Sequence, residues 1–165
     1  MRQGIGVLAV ALALSGCNMT PTKAYEGPSR PLHELSVLKG GGSGEEYGYY
    51  SLVEILAVDG ASQRKGTYLV SFLPGRHSIE LSETERLFAG RRVQYCVLDL
   101  ESVAGCLYIP APPSPPADAA AGRDPNWVWA VDTPVYVECG SGGAFQLRAR
   151  GRCGASPQAV RQGAQ

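Results

Sequence analysis

The sequence predicts an all-β fold, an antiparallel β-sandwich of about seven to nine short strands. Glycine and proline, at 21 and 12 residues, exceed ordinary usage and punctuate the chain with turns. Between them lie short runs of alternating apolar residues, the period of a half-buried strand. No segment keeps helical periodicity for three turns. Many short strands separated by frequent turn signals argue for a sandwich.

In order, residues 31–39 supply a first strand with His33, Leu35 and Val37 on one face. Residues 40–44 are four glycines and a serine, read as a flexible linker; they lack the Gly-Lys-Ser/Thr of a phosphate loop. Residues 47–58 are rich in tyrosine, valine and isoleucine, with Tyr47, Tyr49 and Tyr50 read as core aromatics. They close on Asp59-Gly60, a strong hairpin signal. Residues 67–73 place Tyr68, Val70 and Phe72 on one face, and Pro74-Gly75 turns the chain.

Residues 77–82 put His77, Ile79 and Leu81 on one face, with Ser78, Glu80 and Ser82 opposite. Glu83 and Glu85 read as a solvated turn. Residues 92–100 are apolar on both faces and belong centrally in a sheet, and residues 106–109 follow as a strand. Residues 110–125 are rich in proline and alanine and predict an exposed polyproline-like loop. Strand resumes over 127–132 and, after a short break, 134–139. Residues 140–143 turn the chain into 145–150, where Phe145, Leu147 and Ala149 face the core. Residues 154–165 carry few large apolar side chains and predict a disordered tail.

At the N-terminus, Arg2 precedes an apolar run over 5–14, and Leu14-Ser15-Gly16-Cys17 resembles the bacterial lipobox. The expectation is a signal peptide over 1–16, acylation at Cys17, a lipidated tether over 17–23 and a domain over 24–153. An apolar run of about ten residues falls short of the ~20 that span a bilayer. Acyl chains contribute ~0.8 kcal/mol per buried methylene, so the three chains of such lipoproteins would hold permanently. Asn18 in place of aspartate resembles outer-membrane sorting signals and points to an anchor facing the periplasm. Fifteen basic and 15 acidic residues cancel, which gives no reason to expect a nucleic-acid partner.

Cys96, Cys106, Cys139 and Cys153 form an even set in an exported chain and predict two disulfides. With no Cys-x-x-Cys pair and only two histidines, neither a metal nor a cofactor is expected. Of the three pairings, Cys96–Cys106 with Cys139–Cys153 is the first choice, because consecutive elements are usually neighbours.

Arg148, Arg150 and Arg152 lie two apart and form a stripe on one strand face. Such a stripe binds phosphate, lipopolysaccharide or an acidic partner, or guards an outermost strand against edge pairing; the second reading carries more weight. Trp127 and Trp129 share a face, as core rings or as a rim for a glycan or protein. His77 reads as structural, since His33 is the only other histidine and no Gly-x-Ser-x-Gly or His-Glu-x-x-His motif is present. No catalytic residue is expected.

Residues 25–31, Glu34, Val58-Asp59-Gly60, residues 73–79, Ala104-Gly105 before Cys106-Leu107-Tyr108, and Trp129 before Asp132 together resemble a group of small Gram-negative lipoproteins. Those proteins carry a PEGA-like or transthyretin-like sandwich, and the resemblance implies that fold over roughly 24–139. Cys106 departs from the histidine that often follows Ala-Gly in the group. The resulting expectation is a lipid-anchored envelope module that binds or builds rather than catalyses. An accessory subunit of a secretion or assembly machine is the first alternative, and a small envelope hydrolase the second.

Overall fold

The computed structural model describes residues 20–43, 50–87, 90–115, 126–140 and 143–162. The expected signal segment over 1–16, Cys17 and Asn18 lie outside the described residues, as do Gly44, Tyr47, Tyr49 and residues 116–125 and 163–165.

The chain is all-β. Its elements are β1 (Thr22–Lys23), a 3-10 turn (Leu32–Glu34), β2 (Ser36–Lys39), β3 (Gly41–Ser43), β4 (Tyr50–Val58), β5 (Ala61–Ser62) and β6 (Leu69–Phe72). There follow β7 (Gly75–Leu87), β8 (Gly90–Ser102), β9 (Cys106–Pro110), β10 (Val128–Cys139), β11 (Gly143–Gly154) and α1 (Pro157–Gln162). The strands form one hydrogen-bonded path, β1-β6-β2-β9-β10-β11-β8-β7-β4-β3, with β5 beside β4. This single mixed sheet stands where two stacked antiparallel sheets were expected. Two pairs, β1–β6 and β2–β9, are parallel, and each joins strands separated by a long connection, as parallel pairing requires.

The path curls back on itself. β2 and β3 are separated only by Gly40, yet β2 pairs with β6 and β9 while β3 pairs with β4, at the far end of the path. A Cβ at Gly40 would sit 2.3 Å from the Val53 carbonyl oxygen, so only glycine admits the approach. Its N–H donates to Tyr68 O at 2.8 Å, and Ile55 N–H donates to Thr67 O at 2.9 Å. The expected linker is therefore a seam. Inside the curl lies one core, built from Leu38, Val53, Ile55, Val70, Phe72, Ile79, Leu81, Leu98, Tyr108, Val135 and Val137 among others.

The Asp59-Gly60 hairpin forms as its residues dictate, with φ of 51° and 77° in a two-residue loop between Val58 and Ala61. Elsewhere the structure corrects the expectation. Leu32–Glu34 is a 3-10 turn, and Leu35, Ser36 and Leu38 are buried where Val37 points outward. β7 runs on to Leu87, paired on both sides, so Glu83 and Glu85 stand in the sheet and not in a turn. Pro134 lies within an unbroken β10, and Pro110 closes β9 opposite Val135. Pro112 and Pro115 are buried, so this part of the proline-rich segment is packed, not exposed. The tail is not disordered over Pro157–Gln162: α1 buries Val160, and Arg161 pairs with Glu80 at 2.5 Å.

Two disulfides form, Cys96–Cys153 and Cys106–Cys139. Each joins residues directly opposite on adjacent strands, β8 with β11 and β9 with β10. The sequential pairing is ruled out by topology, since β8 and β9 are not neighbours. Cys139 and Cys153 lie at opposite ends of one hairpin, where Cys139 opposes Gly143 and Cys153 opposes Trp129. At ~3.3 Å per residue, some ten residues part them by roughly 33 Å. Non-reducing peptide mapping should recover both observed links. Sequence separations of 57 and 33 residues imply about 4 kcal/mol of chain-entropy stabilisation per bridge. Urea denaturation of a Cys96→Ser/Cys153→Ser variant should therefore show a loss of several kcal/mol, and an unchanged midpoint would contradict the link.

Candidate functional site

Strand alternation carries Glu83 and Glu85 to the same interior face of β7 as His77, Ile79 and Leu81. Ser51 on β4 and Gln94 on β8 point into the same space from the flanking strands, in register opposite Glu85 and Glu83. The result is a buried polar cluster at one end of the curl. Glu83 accepts from Ser51 Oγ at 2.5 Å and from Gln94 Nε2 at 2.6 Å. Glu85 accepts from Arg92 Nε at 2.6 Å, and a second Arg92 nitrogen, Nη2, closes on the same oxygen.

The proline-rich segment is fastened to this cluster. Ser114 Oγ donates to Glu85 Oε1 at 2.7 Å, and Gln94 Nε2 also donates to Pro113 O at 2.9 Å. Gln94 is 1% exposed, and its Oε1 has no hydrogen-bond partner among the described residues. Chemically the arrangement pairs one carboxylate with a guanidinium and leaves the other among neutral donors. Burial therefore raises the Glu83 carboxyl above its ordinary range, opposed by the hydrogen bonds from Ser51 and Gln94; the Glu85 charge adds to the rise and Arg92 counters it.

Sequence reasoning missed this cluster. The signal was present, because the alternation from His77 through Leu81 continues unbroken to Glu83 and Glu85. Two acids on a core face look like the end of a strand until their partners on β4 and β8 are known.

The sequence-derived candidates scatter. Arg148 and Arg150 point outward from β11, which sits between β10 and β8. β11 is not an outermost strand, so the edge-guarding reading is corrected. Arg148 pairs with Asp132 at 3.7 Å, and Arg76 with Asp99 at 3.5 Å. Arg150 stands in register between Asp132 and Asp99. A depression of about 350 Å³ lies among Arg76, Asp99, Glu101, Leu147, Arg148 and Arg150. Three arginines and two acids line it, with Asp132 alongside, so the basic stripe is neutralised by its neighbours. Arg152 is half-buried and donates to Val160 O of α1.

Trp129 faces the interior and packs on the core, on the opposite side of the sheet from the arginines. Trp127 precedes β10 and is half-buried, with its carbonyl accepting from Ala155 N–H at 3.1 Å. Tryptophans and arginines thus form no common surface.

His77 meets a partner the sequence did not suggest. Its Nδ1 lies 2.7 Å from Asp59 Oδ2, Asp59 Oδ1 accepts the Ser78 N–H at 2.9 Å, and the ring meets Phe72 edge-on at 4.8 Å. His77 Nε2 is buried with no hydrogen-bond partner among the described residues. The pair orients an imidazole; acyl transfer would also need a nucleophile bonded to Nε2.

Two outcomes follow from the polar cluster. A carboxyl raised in the fold binds its proton more tightly there than in the unfolded chain, so its contribution is present at low pH. That contribution is lost as pH rises above the ordinary carboxyl value of 4.5. Glu83→Gln should flatten the fall of Tm with pH above that value and leave Tm at neutral pH equal or higher; a lower Tm with an unchanged slope would contradict it. Arg92→Ala strips the buried Glu85 carboxylate of its counter-charge and should cost about 3 kcal/mol in urea denaturation.

Comparison of the chain with protein-family models, with curated proteins and with solved structures finds no match.

Proposed function

We propose that the protein is a lipid-anchored module of the bacterial envelope, held at the outer membrane through Cys17 and acting by binding or scaffolding rather than by catalysis. One observation carries the reading: of five cysteines, four are consumed in two cross-strand disulfides, and the fifth is the cysteine of Leu14-Ser15-Gly16-Cys17. Disulfides belong to oxidising compartments, and a single cysteine left over at a lipobox is the residue an acyl transferase modifies. Kinship with the PEGA-like lipoproteins is part of this proposal and rests on the turn motifs at 25–31, 58–60 and 73–79.

The partner is an envelope protein or glycan. The hydrolase alternative keeps one observation in its favour, the His77–Asp59 pair; a turnover abolished by His77→Ala would promote it. Cross-linking in intact cells separates a solitary module from a machine subunit. The anchoring itself is tested by fractionation. Cys17→Ser should move the protein from the membrane pellet to the soluble periplasm, and a mutant that stays with membranes would overturn the proposal.

A further inference from the structure

The outside of the curled sheet is divided. Over β11, β8 and β7 it carries Arg148, Arg150, Asp99, Glu101 and Arg76, with Arg76 paired to Asp99 and Arg148 to Asp132 on the neighbouring β10. Over β6, β2, β9 and β10 it carries Leu69, Val37, Leu107, Ile109 and Tyr136, with Lys39 opposite Leu69 and Glu138 opposite Leu107. Alternation fixes their direction, because Leu38, Cys106, Tyr108, Val135 and Val137 between them are buried. Val37 stands beside Leu107, and Ile109 opposite Tyr136, so the apolar residues are contiguous across the strands. Tyr136 is 52% exposed, and Leu32, on the 3-10 turn beside β2, is 55% exposed.

A depression of about 470 Å³ runs along this face, lined almost wholly by apolar atoms and bordered by Pro21 and Leu32. Beside it a second depression, also bordered by Pro21 and Leu32, carries Lys23, Tyr25 and Arg30.

We infer that this apolar face, from Leu32 and Val37 through Leu107 and Ile109 to Tyr136, lies against the phospholipid surface to which the chain is anchored. The inference rests on the acylation of Cys17 proposed above. Three residues lie between Cys17 and Pro21, and the four Cα–Cα steps, at ~3.5 Å each, reach at most about 14 Å. The anchor therefore holds Pro21 close to the headgroups, and Pro21 borders the apolar depression. The charged face lies on the other side of the curl. Tyrosine suits the boundary between headgroup and acyl chain, and Lys23 stands where headgroup phosphates would meet the margin of the face, near Arg30, which pairs with Glu34 at 3.9 Å. A largely apolar face on an anchored domain marks an interaction surface, and the short tether selects the membrane as its occupant.

The test uses the full-length acylated protein in vesicles of phosphatidylethanolamine and phosphatidylglycerol that contain a photoactivatable phospholipid. After illumination, labelled peptides are mapped and the mass of the N-terminal peptide is read in the same run. Label should concentrate on Leu32, residues 105–109 and Tyr136, and spare Arg76, Asp99 and Arg150. Leu32→Asp/Tyr136→Asp changes two exposed positions and should cut the label several-fold while Cys17 stays acylated and the protein still pellets. Phe145→Asp, at an exposed position outside this face, should leave the label unchanged. An acylated Cys17 with label on the charged face, or with none on the domain, overturns the orientation and leaves the anchoring intact. Copy-to-copy cross-links through Tyr136 overturn it in favour of self-association, and an unmodified Cys17 overturns both proposals.

Discussion

The fold depends on one close approach. At Gly40 the backbone passes so near the Val53 carbonyl that any side chain would collide with it, and there the strand leaves one end of the sheet to join the other. Without that crossing the sheet would be an open ribbon with long exposed edges, which proteins must otherwise cover or blunt. With it, the interior faces of the strands enclose a single core, and a residue's parity along its strand decides between water and the inside. Gly151 repeats the device at the middle of the sheet, where a Cβ would lie 2.1 Å from Val97 O.

Parity explains both what the sequence disclosed and what it hid. The alternation over 77–82, the two-faced apolar run over 92–100 and the Asp59-Gly60 turn are local signals, and the structure forms each where its residues place it. The order of the strands is not local. Nothing in residues 36–43 says that one stretch will pair with β9 and the next with β4. The disulfide pairing followed the same limit, because Cys96 meets Cys153 only once β11 has been laid beside β8. Proline and glycine composition misled in the other direction. Proline bars a residue from donating a backbone hydrogen bond but not from burying its ring, and Pro112 and Pro115 are buried.

The buried acids show why the candidate site was hardest to read. Glu83 and Glu85 are costly inside a core unless donors arrive from elsewhere, and theirs come from β4, β8 and the segment after β9. A single strand gives no sign that its neighbours will supply them. The same residues explain how the start of the proline-rich segment is held without strand pairing: it exchanges backbone ladder bonds for side-chain bonds to a charged, enclosed cluster. Polar burial thus does here what apolar contact does over the rest of the interior.

The placement of the disulfides has a mechanical consequence. They join β9 to β10 and β11 to β8, so the middle of the sheet is two covalently clamped pairs held together by the long β10–β11 hairpin. The chain that leads back to Cys17 enters instead through β1, which meets β6 at only two register positions. Force drawn through an anchor at Cys17 would reach that short parallel pair first and the clamped panel last. Traction would peel the tether and the margin of the sheet while the central strands stayed assembled, so the domain would lengthen under load before it lost its core.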